Sequence, residues 1–188
     1  MHKDDTYKLS ARPIDMGDVE PLVQYWMTSS DEHLLGMGVD LAKKPNKEDL
    51  VASLEEQILL PLSKKMSLAL IWEVDGKAIG HNNVNHIHFG EFAHMHLHIW
   101  NTEMRRKGLG KRLLQVSIPQ FFELLDLQYL VCEPYALNPA PNRTLEKLGF
   151  EFEKRYTTVP GSINFEQEVN RWILTKTRLD EVKGYWSR

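Results

Sequence analysis

The segment MRRKGLGKR, residues 104–112, constrains the fold of this chain more than any other stretch. It follows an apolar run that ends in Ile99 and Trp100, and it precedes a run with the apolar spacing of a helix. A strand, a glycine-rich turn and a helix are therefore expected in this order. Because a helix start offers unpaired backbone N–H groups, Gly108 and Gly110 would let an anion such as a diphosphate approach them closely. The spacing is not that of a Walker P-loop, and a solvated helix start is the alternative interpretation.

Composition limits the class of protein. The 188 residues carry a formal net charge of -3, which argues against a general nucleic-acid binder and makes the basic turn a local feature. The length and the lack of a repeat or long linker predict one domain over residues 1–188. Cys132 is the single cysteine, which excludes an intrachain disulfide and a cysteine-based zinc cluster. No signal peptide or membrane-spanning run is evident, so a cytoplasmic protein without a membrane partner is expected.

Hydrophobic periodicity predicts a mixed order of strands and helices. Strands are expected at residues 6–14, 67–74, 77–87, 92–100, 128–134, 151–159 and 165–177, with a hairpin turn at Asp75 and Gly76. Helices are expected at residues 17–29 after Asp15, after the N-cap Asn46, at residues 105–125 and at residues 141–148. Residues 36–45 are expected to form a loop. The apolar positions assigned to helices are Leu50, Leu54, Ile58 and Leu62 in the second, and Leu109, Leu113, Leu114 and Phe121 in the third.

Two segments together resemble one protein family. RRKGLG, residues 105–110, matches the R/Q-x-x-G-x-G/A pyrophosphate-binding pattern of the GNAT superfamily of N-acetyltransferases. Downstream, NPAPNRTLEKLGFEFE, residues 138–153, resembles a segment common in its ribosomal-protein and small-amine branches. The resemblance reaches from about Met66 to Thr175. It implies an α/β (α+β) fold with a mixed, mostly antiparallel sheet flanked by helices, in which two strands splay apart to bind CoA.

The resemblance also implies the residues that hold acetyl-CoA as co-substrate. Residues 105–111 would bind its pyrophosphate, and Asn138 falls where the family has an asparagine that contacts the pantetheine arm or orders the site. Asn142 and Arg143 lie near the path of the cofactor, with helix capping and solvent exposure as the alternative. The full implied set is Ile99, Trp100, Arg105, Arg106, Lys107, Gly108, Leu109, Gly110, Lys111, Asn138, Asn142 and Arg143.

Histidines supply candidate bases for the chemistry. A lysine-like amine has a pKa of roughly 10.4, so the site must remove a proton before the amine can attack a thioester. His94, His96 and His98 alternate along a predicted strand and share one face. The stretch AHMH is similar to that of serotonin N-acetyltransferase, which implies His94 and His96 as a proton relay. Glu133 is a reserve base or an amine-binding carboxylate. The alternatives are hydrogen-bonded surface histidines or a metal site, and no metal is expected.

The chain departs from the family pattern at two positions. Many members have a tyrosine, the acid for the leaving thiolate, four residues before the glycine of the "GF" pair, where this chain has Leu145. Pro141 replaces a serine that is frequent in relatives. The acid could therefore be Tyr135, Cys132 or solvent.

The resemblance implies acetyl transfer to a primary amine by direct attack in a ternary complex. The acceptor, a small-molecule or peptide amine, is expected over the first helices and the loop before the last strand. Acidic residues there would favour a cation: Asp31, Glu32, Glu166 and Glu168. A non-catalytic CoA-binding protein of the same fold and an enzyme for another acyl-CoA are the rival interpretations. No nucleic acid is expected as a partner, and the chain is expected to be a monomer or homodimer.

Overall fold

A computed structural model of the chain describes residues 7–100, 102–104 and 108–186. Within these residues the chain forms seven strands and six α-helices. The strands are β1 (Leu9–Pro13), β2 (Ser67–Val74), β3 (Lys77–His88), β4 (Phe92–Ile99), β5 (Tyr129–Cys132), β6 (Glu151–Thr158) and β7 (Gln167–Thr175). The helices are α1 (Val19–Thr28), α2 (Asp31–Gly36), α3 (Lys47–Leu59), α4 (Leu109–Leu125), α5 (Pro139–Leu148) and α6 (Lys176–Trp186).

The described strands form one sheet in the order β1-β2-β3-β4-β5-β7-β6. Neighbouring strands are antiparallel except β4 and β5, which are parallel and joined by α4. A parallel pair needs such a crossover, and the glycine turn starts it. The predicted mixed, mostly antiparallel sheet flanked by helices is confirmed.

The parallel pair separates partway along its length. Pairing runs from Phe92 opposite Tyr129 to His94 opposite Val131, whereas β4 continues to Ile99. Just past this point, the Cys132 thiol donates to the Met95 carbonyl at 3.2 Å. A side chain thus occupies the carbonyl where the backbone pairing of β4 with β5 ends. The resemblance places the gap between the two strands along the edge of β4 beyond this point.

Two helix layers cover the sheet. On one face, α4 buries Leu109, Leu113, Leu114 and Phe121, as its periodicity predicts, in a core shared with β2, β3 and β4. On the opposite face, α1 packs against α3. The apolar side of α3 is only half-buried, and the reason is a cavity beneath it that is described below.

Local signals place most of the element boundaries. Asp75 and Gly76 have φ of +51° and +75°, which form the predicted hairpin turn, and Asn46 caps α3 through the backbone N–H of Asp49. Gly149 ends α5 at φ +89°, where a Cβ would lie 2.7 Å from Val182 Cγ1 of α6. This glycine therefore allows both the left-handed turn and the close packing of α6.

Two parts of the sequence-based prediction are wrong. α2 and α6 have no predicted counterpart, since both are mostly polar and each buries a single leucine, Leu34 and Leu179. Leu62 does not belong to α3, because α3 ends before Pro61. The expected loop at residues 36–45 is confirmed apart from Gly36, which ends α2. Within it lie a 3₁₀ turn, Leu41–Lys43, and an isolated bridge between Val39 and Asn164.

A chain of buried polar side chains links α4 to the sheet. The Trp72 indole donates to Ser117 Oγ at 3.2 Å, and the Ser117 hydroxyl donates to Asn82 Oδ1 at 3.0 Å. The Asn82 amide then donates to the carbonyl of His96 at 2.6 Å. Because Trp72, Ser117 and Asn82 are each 0% exposed, water cannot replace these partners. These hydrogen bonds fix the backbone of β4 at His96, which the sequence analysis gives as a candidate base.

We expect Ser117→Ala to lower the free energy of unfolding by about 2 kcal/mol, because Trp72 Nε1 and Asn82 Oδ1 both lose a buried partner. Urea denaturation measures the change. Ser63→Ala, at an exposed serine, is the control and should stay within about 0.5 kcal/mol of the parent. Equal effects of the two substitutions would contradict the proposed role of the buried chain.

Candidate active site

The glycine turn begins α4. Gly108 is the N-cap at φ +74°, a conformation that favours glycine, and as a glycine it has no side chain that could cap the first turn. Leu109 is buried and anchors the turn, and a Cβ on Gly110 would lie 3.7 Å from Ile99 Cδ1. First-turn N–H groups without a side-chain cap are what an anion site requires. Lys111 is exposed beside them, whereas Arg105, Arg106 and Lys107 lie outside the described residues.

A cavity of about 300 Å³ lies on the other face of the sheet. We call it the histidine cavity, after His81, His96 and His98 in its wall. The remaining wall comes from α1, α3, the strands β2 and β3, and the loop before β7, with residues that include Leu22, Trp26, Leu50, Leu54, Ile58, Lys65, Asn83, Asn85 and Asn164. β4 therefore borders the gap to β5 with its edge and the cavity with its side chains.

The predicted shared face of the β4 histidines is confirmed, since Met95 between them is buried in the opposite core. His96 and His98 line the cavity, and His94 does not. The His96 ring bonds Asn85 Oδ1 through Nε2 at 3.1 Å. An amide oxygen only accepts, so Nε2 carries the proton and Nδ1 carries the lone pair. Burial lowers the pKa of His96 to about 4, which keeps the ring neutral at pH 7.

His98 continues into a hydrogen-bonded series. Its Nδ1 lies 3.2 Å from the Tyr25 hydroxyl, which in turn lies 3.1 Å from His33 Nε2. Tyr25 is buried, whereas His33 lines an open cleft of about 520 Å³ between α2 and the start of α5. The series therefore connects the histidine cavity to a solvent-accessible cleft through groups that can exchange protons.

His81 is held neutral beneath His98. The two rings stack with centroids 4.7 Å apart, and the Trp100 indole donates to His81 Nδ1 at 2.7 Å. Because an indole only donates, the proton of neutral His81 sits on Nε2. Burial lowers the pKa of His81 to about 3. Trp100, implied above as a cofactor residue, thus directs its indole to a histidine of the cavity wall.

His94 belongs to a separate charged cluster. Its Nδ1 lies 3.7 Å from Glu133 Oε2, while Glu133 Oε1 accepts from the Tyr156 hydroxyl at 2.5 Å and from Arg171 at 2.8 Å. Burial alone would raise the pKa of Glu133, but the bonds from Tyr156 and Arg171 outweigh it and lower the pKa. A carboxylate held in this way is a weak base. Burial also lowers the pKa of His94, against the opposing effect of Glu133.

Asn138 and Asn142 are both engaged within the protein. Asn138 caps α5 and also donates to the Gly36 carbonyl at 3.4 Å. The Asn142 amide donates to the carbonyls of Tyr135 and Asn138, and its oxygen accepts from Asn170 and Trp172. Every hydrogen-bonding position of the Asn142 side chain is therefore used, which favours the structural interpretation for this residue.

The side chains considered for the acid that protonates the leaving thiolate, and Leu145 at the position of the family's tyrosine, differ in their environment. Leu145 is 0% exposed in the core, and it has no proton to donate. Burial raises the pKa of the Cys132 thiol to about 12. Tyr135 lines the open cleft beside Asn138 and stacks edge-on against Phe165. Of the three side chains at these positions, Tyr135 has the access that proton transfer requires.

The acidic residues expected to favour a cationic acceptor do not line the histidine cavity. Asp31, Glu32, Glu166 and Glu168 are all exposed, and none belongs to the cavity wall. Glu32 faces the open cleft instead. The segments expected to hold the acceptor, the first helices and the loop before β7, do contribute to the cavity wall, through α1 and residues 161–164.

Sequence reasoning missed three polar residues of β3 that share the cavity face: His81, Asn83 and Asn85. Their period of two in HNNVN is the same signal that identified the β4 histidines. It also missed Tyr25, whose contact with His98 spans 73 positions in sequence and has no local signature.

The described residues show neither a metal-binding cluster nor a membrane-spanning helix. No three histidine, cysteine, aspartate or glutamate side chains there come together as a group that could hold a metal. None of the described helices is both long and apolar enough to cross a bilayer.

The low pKa of His81 makes stability depend on pH. The folded pKa of about 3 lies below the unfolded value of roughly 6.5, so the unfolded chain binds more protons between these values. The stabilisation is complete above about pH 6.5 and falls as the pH falls toward 3. We expect His81→Phe to reduce the slope of unfolding free energy between pH 6 and 4 by up to about 1.4 kcal/mol per pH unit.

The measurement is urea denaturation at several pH values, with His88→Phe at an exposed histidine as the matched substitution. The lost bond from Trp100 adds a constant offset, so the difference in slope between the two variants is the readout. Identical slopes would show that folding does not lower the pKa of His81.

Comparison with solved structures gives the same architecture. A spermidine N-acetyltransferase from Vibrio cholerae in complex with CoA and spermine is 17% identical, with a TM-score of 0.74 over 91% of this chain and 97% of that one. An aminoglycoside acetyltransferase in complex with coenzyme A and kanamycin is 16% identical, with a TM-score of 0.72 over 94% and 99%. An uncharacterized protein from Bacillus halodurans is 19% identical, with a TM-score of 0.70 over 96% and 90%.

These likenesses concern the fold, since all three identities are low. No curated protein sequence matches the chain significantly. The family model described as the acetyltransferase (GNAT) domain matches residues 8–151, which is most of the chain and includes the glycine turn, the gap beside β4 and the histidine strand. The chain therefore belongs to the GNAT acetyltransferases, the family that uses acetyl-CoA as co-substrate.

Proposed function

We propose that this protein transfers an acetyl group from acetyl-CoA to a primary amine by direct attack in a ternary complex. The observation that carries the proposal is the position of β4, whose edge borders the gap to β5 while its side chains line the histidine cavity. A thioester in the gap and an amine in the cavity would meet at this strand. Family membership supports acetyl transfer to amines in general.

The cofactor end of the site is the turn and the gap. Residues 105–111 would hold the pyrophosphate against the first turn of α4, beside Ile99, with Lys111 adding charge. Beyond His94, none of the described strands pairs with β4 on the β5 side, so its backbone would pair with the pantetheine arm. Asn138 at the N-cap of α5 and the exposed Arg143 would contact the cofactor as it passes this helix, and the Asn142 amide donates to the Asn138 carbonyl from inside.

We expect Gly110→Ala to weaken CoA binding at least about tenfold, because the added methyl group would stand between the ligand and the backbone. The fold accepts the methyl, since it meets only Ile99 Cδ1 at 3.7 Å, and alanine stabilises a helix by up to about 1 kcal/mol. Titration calorimetry with CoA measures the affinity. Gly184→Ala in α6 is the matched control, because a Cβ there meets nothing within 4 Å.

Undiminished CoA affinity in Gly110→Ala would remove the proposed close approach of the phosphates. Gly108→Ala is a poorer test, because φ +74° strains any side chain at that position whatever the ligand does.

Proton removal is assigned to the β4 histidines. His96 is neutral at pH 7 with its lone pair on Nδ1, so it can accept the proton of the amine. His94, which is 20% exposed at its side chain, would pass the charge toward Glu133 and solvent. Glu133 would then stabilise the protonated form of His94 and would not itself accept the proton of the amine. A pKa of about 4 makes His96 a weaker base than free imidazole, so its contribution is expected at the low end of the usual range.

The experiment is release of free thiol from acetyl-CoA with a panel of primary amines. We expect the His94→Ala/His96→Ala double variant to lower kcat/KM for the best amine by about 100-fold at pH 7, with CoA affinity unchanged. The loss should shrink at high pH, where more of the amine is already unprotonated.

Tyr25→Phe is the comparison, because it breaks the alternative route through His98 and His33. A loss under about threefold in the double variant with a large loss in Tyr25→Phe would transfer the role to that route. Binding of acetyl-CoA without thiol release for any amine would instead favour a non-catalytic CoA-binding protein.

A further inference from the structure

We propose that the histidine cavity takes a small primary monoamine with an apolar body, and that Asn83 Oδ1 accepts a hydrogen bond from its nitrogen. This inference rests on the proposed function and names the class of its acceptor. Polyamines, aminoglycosides and peptide N-termini are thereby excluded as preferred substrates.

The apolar part of the wall determines the body of the ligand. Leu50, Leu54 and Ile58 form the apolar face of α3 and are half-buried. They line the cavity, so this face borders the cavity where it would otherwise pack against other side chains. Leu22 and Trp26 of α1 lie opposite the same space. The hydrocarbon part of a ligand would pack against these side chains, and its apolar surface would be removed from water.

The charges of the wall exclude a second ammonium group. None of the described lining residues is acidic, and Lys65 is the one that carries a full charge. Its ammonium donates to the carbonyls of Gln57 and Ile58, and burial lowers its pKa. A second cationic group on the ligand would therefore be desolvated near a like charge, without a counter-ion in the described wall.

The wall contains one fully buried amide oxygen that has no hydrogen-bond partner among the described residues. Asn85 Oδ1 accepts from His96, and Gln57 Oε1 accepts from the backbone N–H groups of Met66 and Ser67. Asn83 Oδ1 is fully buried and has no hydrogen-bond partner among the described residues. A buried acceptor of this kind calls for a donor, and the N–H of an amine supplies one. Asn83 pairs directly with His96 across β3 and β4, which places that donor beside the proposed base.

The size of the cavity agrees with one small amine. Small-molecule sites usually run from about 300 to 1,000 Å³, so a cavity of about 300 Å³ is at the lower limit. A trisaccharide-sized aminoglycoside or several residues of a peptide would need more room than the described wall encloses.

The test compares pentylamine with cadaverine, the diamine of the same chain length, which differ only in a second ammonium group. We expect kcat/KM for pentylamine to exceed that for cadaverine at least about tenfold. Equal or better turnover of cadaverine, spermidine or kanamycin would overturn the inference and leave acetyl transfer intact.

Calorimetry on the protein–CoA complex covers the case of no turnover. Pentylamine binding at least about tenfold tighter than cadaverine would support the cavity assignment while the proposed catalytic function fails. Binding of neither amine would overturn the cavity assignment itself.

Variants at Asn83 locate the contact. We expect Asn83→Leu to raise the KM for pentylamine about tenfold, because the acceptor is lost, while the KM for acetyl-CoA stays unchanged. Asn83→Asp keeps an oxygen in place and adds a negative charge. It should therefore narrow or reverse the difference in kcat/KM by which pentylamine exceeds cadaverine. Unchanged KM for pentylamine in both variants, with urea denaturation showing that both fold, would overturn the role of Asn83.

Discussion

The buried hydrogen bonds from Trp72 through Ser117 and Asn82 to the His96 carbonyl hold together the parts on which the rest of the site depends. β4 loses its partner strand after His94, and a strand with one free edge has few constraints on its position. The hydrogen-bonded side chains of Trp72, Ser117 and Asn82 supply a constraint, because they connect β2, α4 and β3 to the backbone of β4. Its members are fully buried, so no water can substitute for any of them.

β4 then serves two compartments because side chains of a strand alternate. Ala93 and Met95 point into the core under α4, and His96 and His98 point into the histidine cavity. The free edge of the strand faces neither side and remains open toward β5. Under the proposed function, this geometry brings a thioester and an amine together from different directions, and neither ligand has to pass the other.

The sequence predicted what depends on near neighbours. Alternation identified the shared face of His94, His96 and His98, and the helical spacing identified the buried residues of α4. The contacts that decide chemistry join distant segments: Arg171 with Glu133, and Tyr25 with His98. Nothing local indicates them, so the carboxylate that looked like a reserve base turned out to be held by an arginine and a tyrosine. The cavity under α3 was equally hidden, because an apolar helix face predicts burial and does not say against what.

Under the proposed function, electrostatics connects the choice of the acceptor amine to its deprotonation. A cavity without a carboxylate in its described wall disfavours an ammonium ion, so a bound amine has a lower pKa than it has in water. Each unit of that shift is worth about 1.4 kcal/mol, and the apolar body of the ligand supplies the binding energy that offsets it. Deprotonation would then need only a weak base, a role that the proposal gives to neutral His96 with its pKa of about 4. The same desolvation that rejects a dication therefore prepares a monoamine for attack.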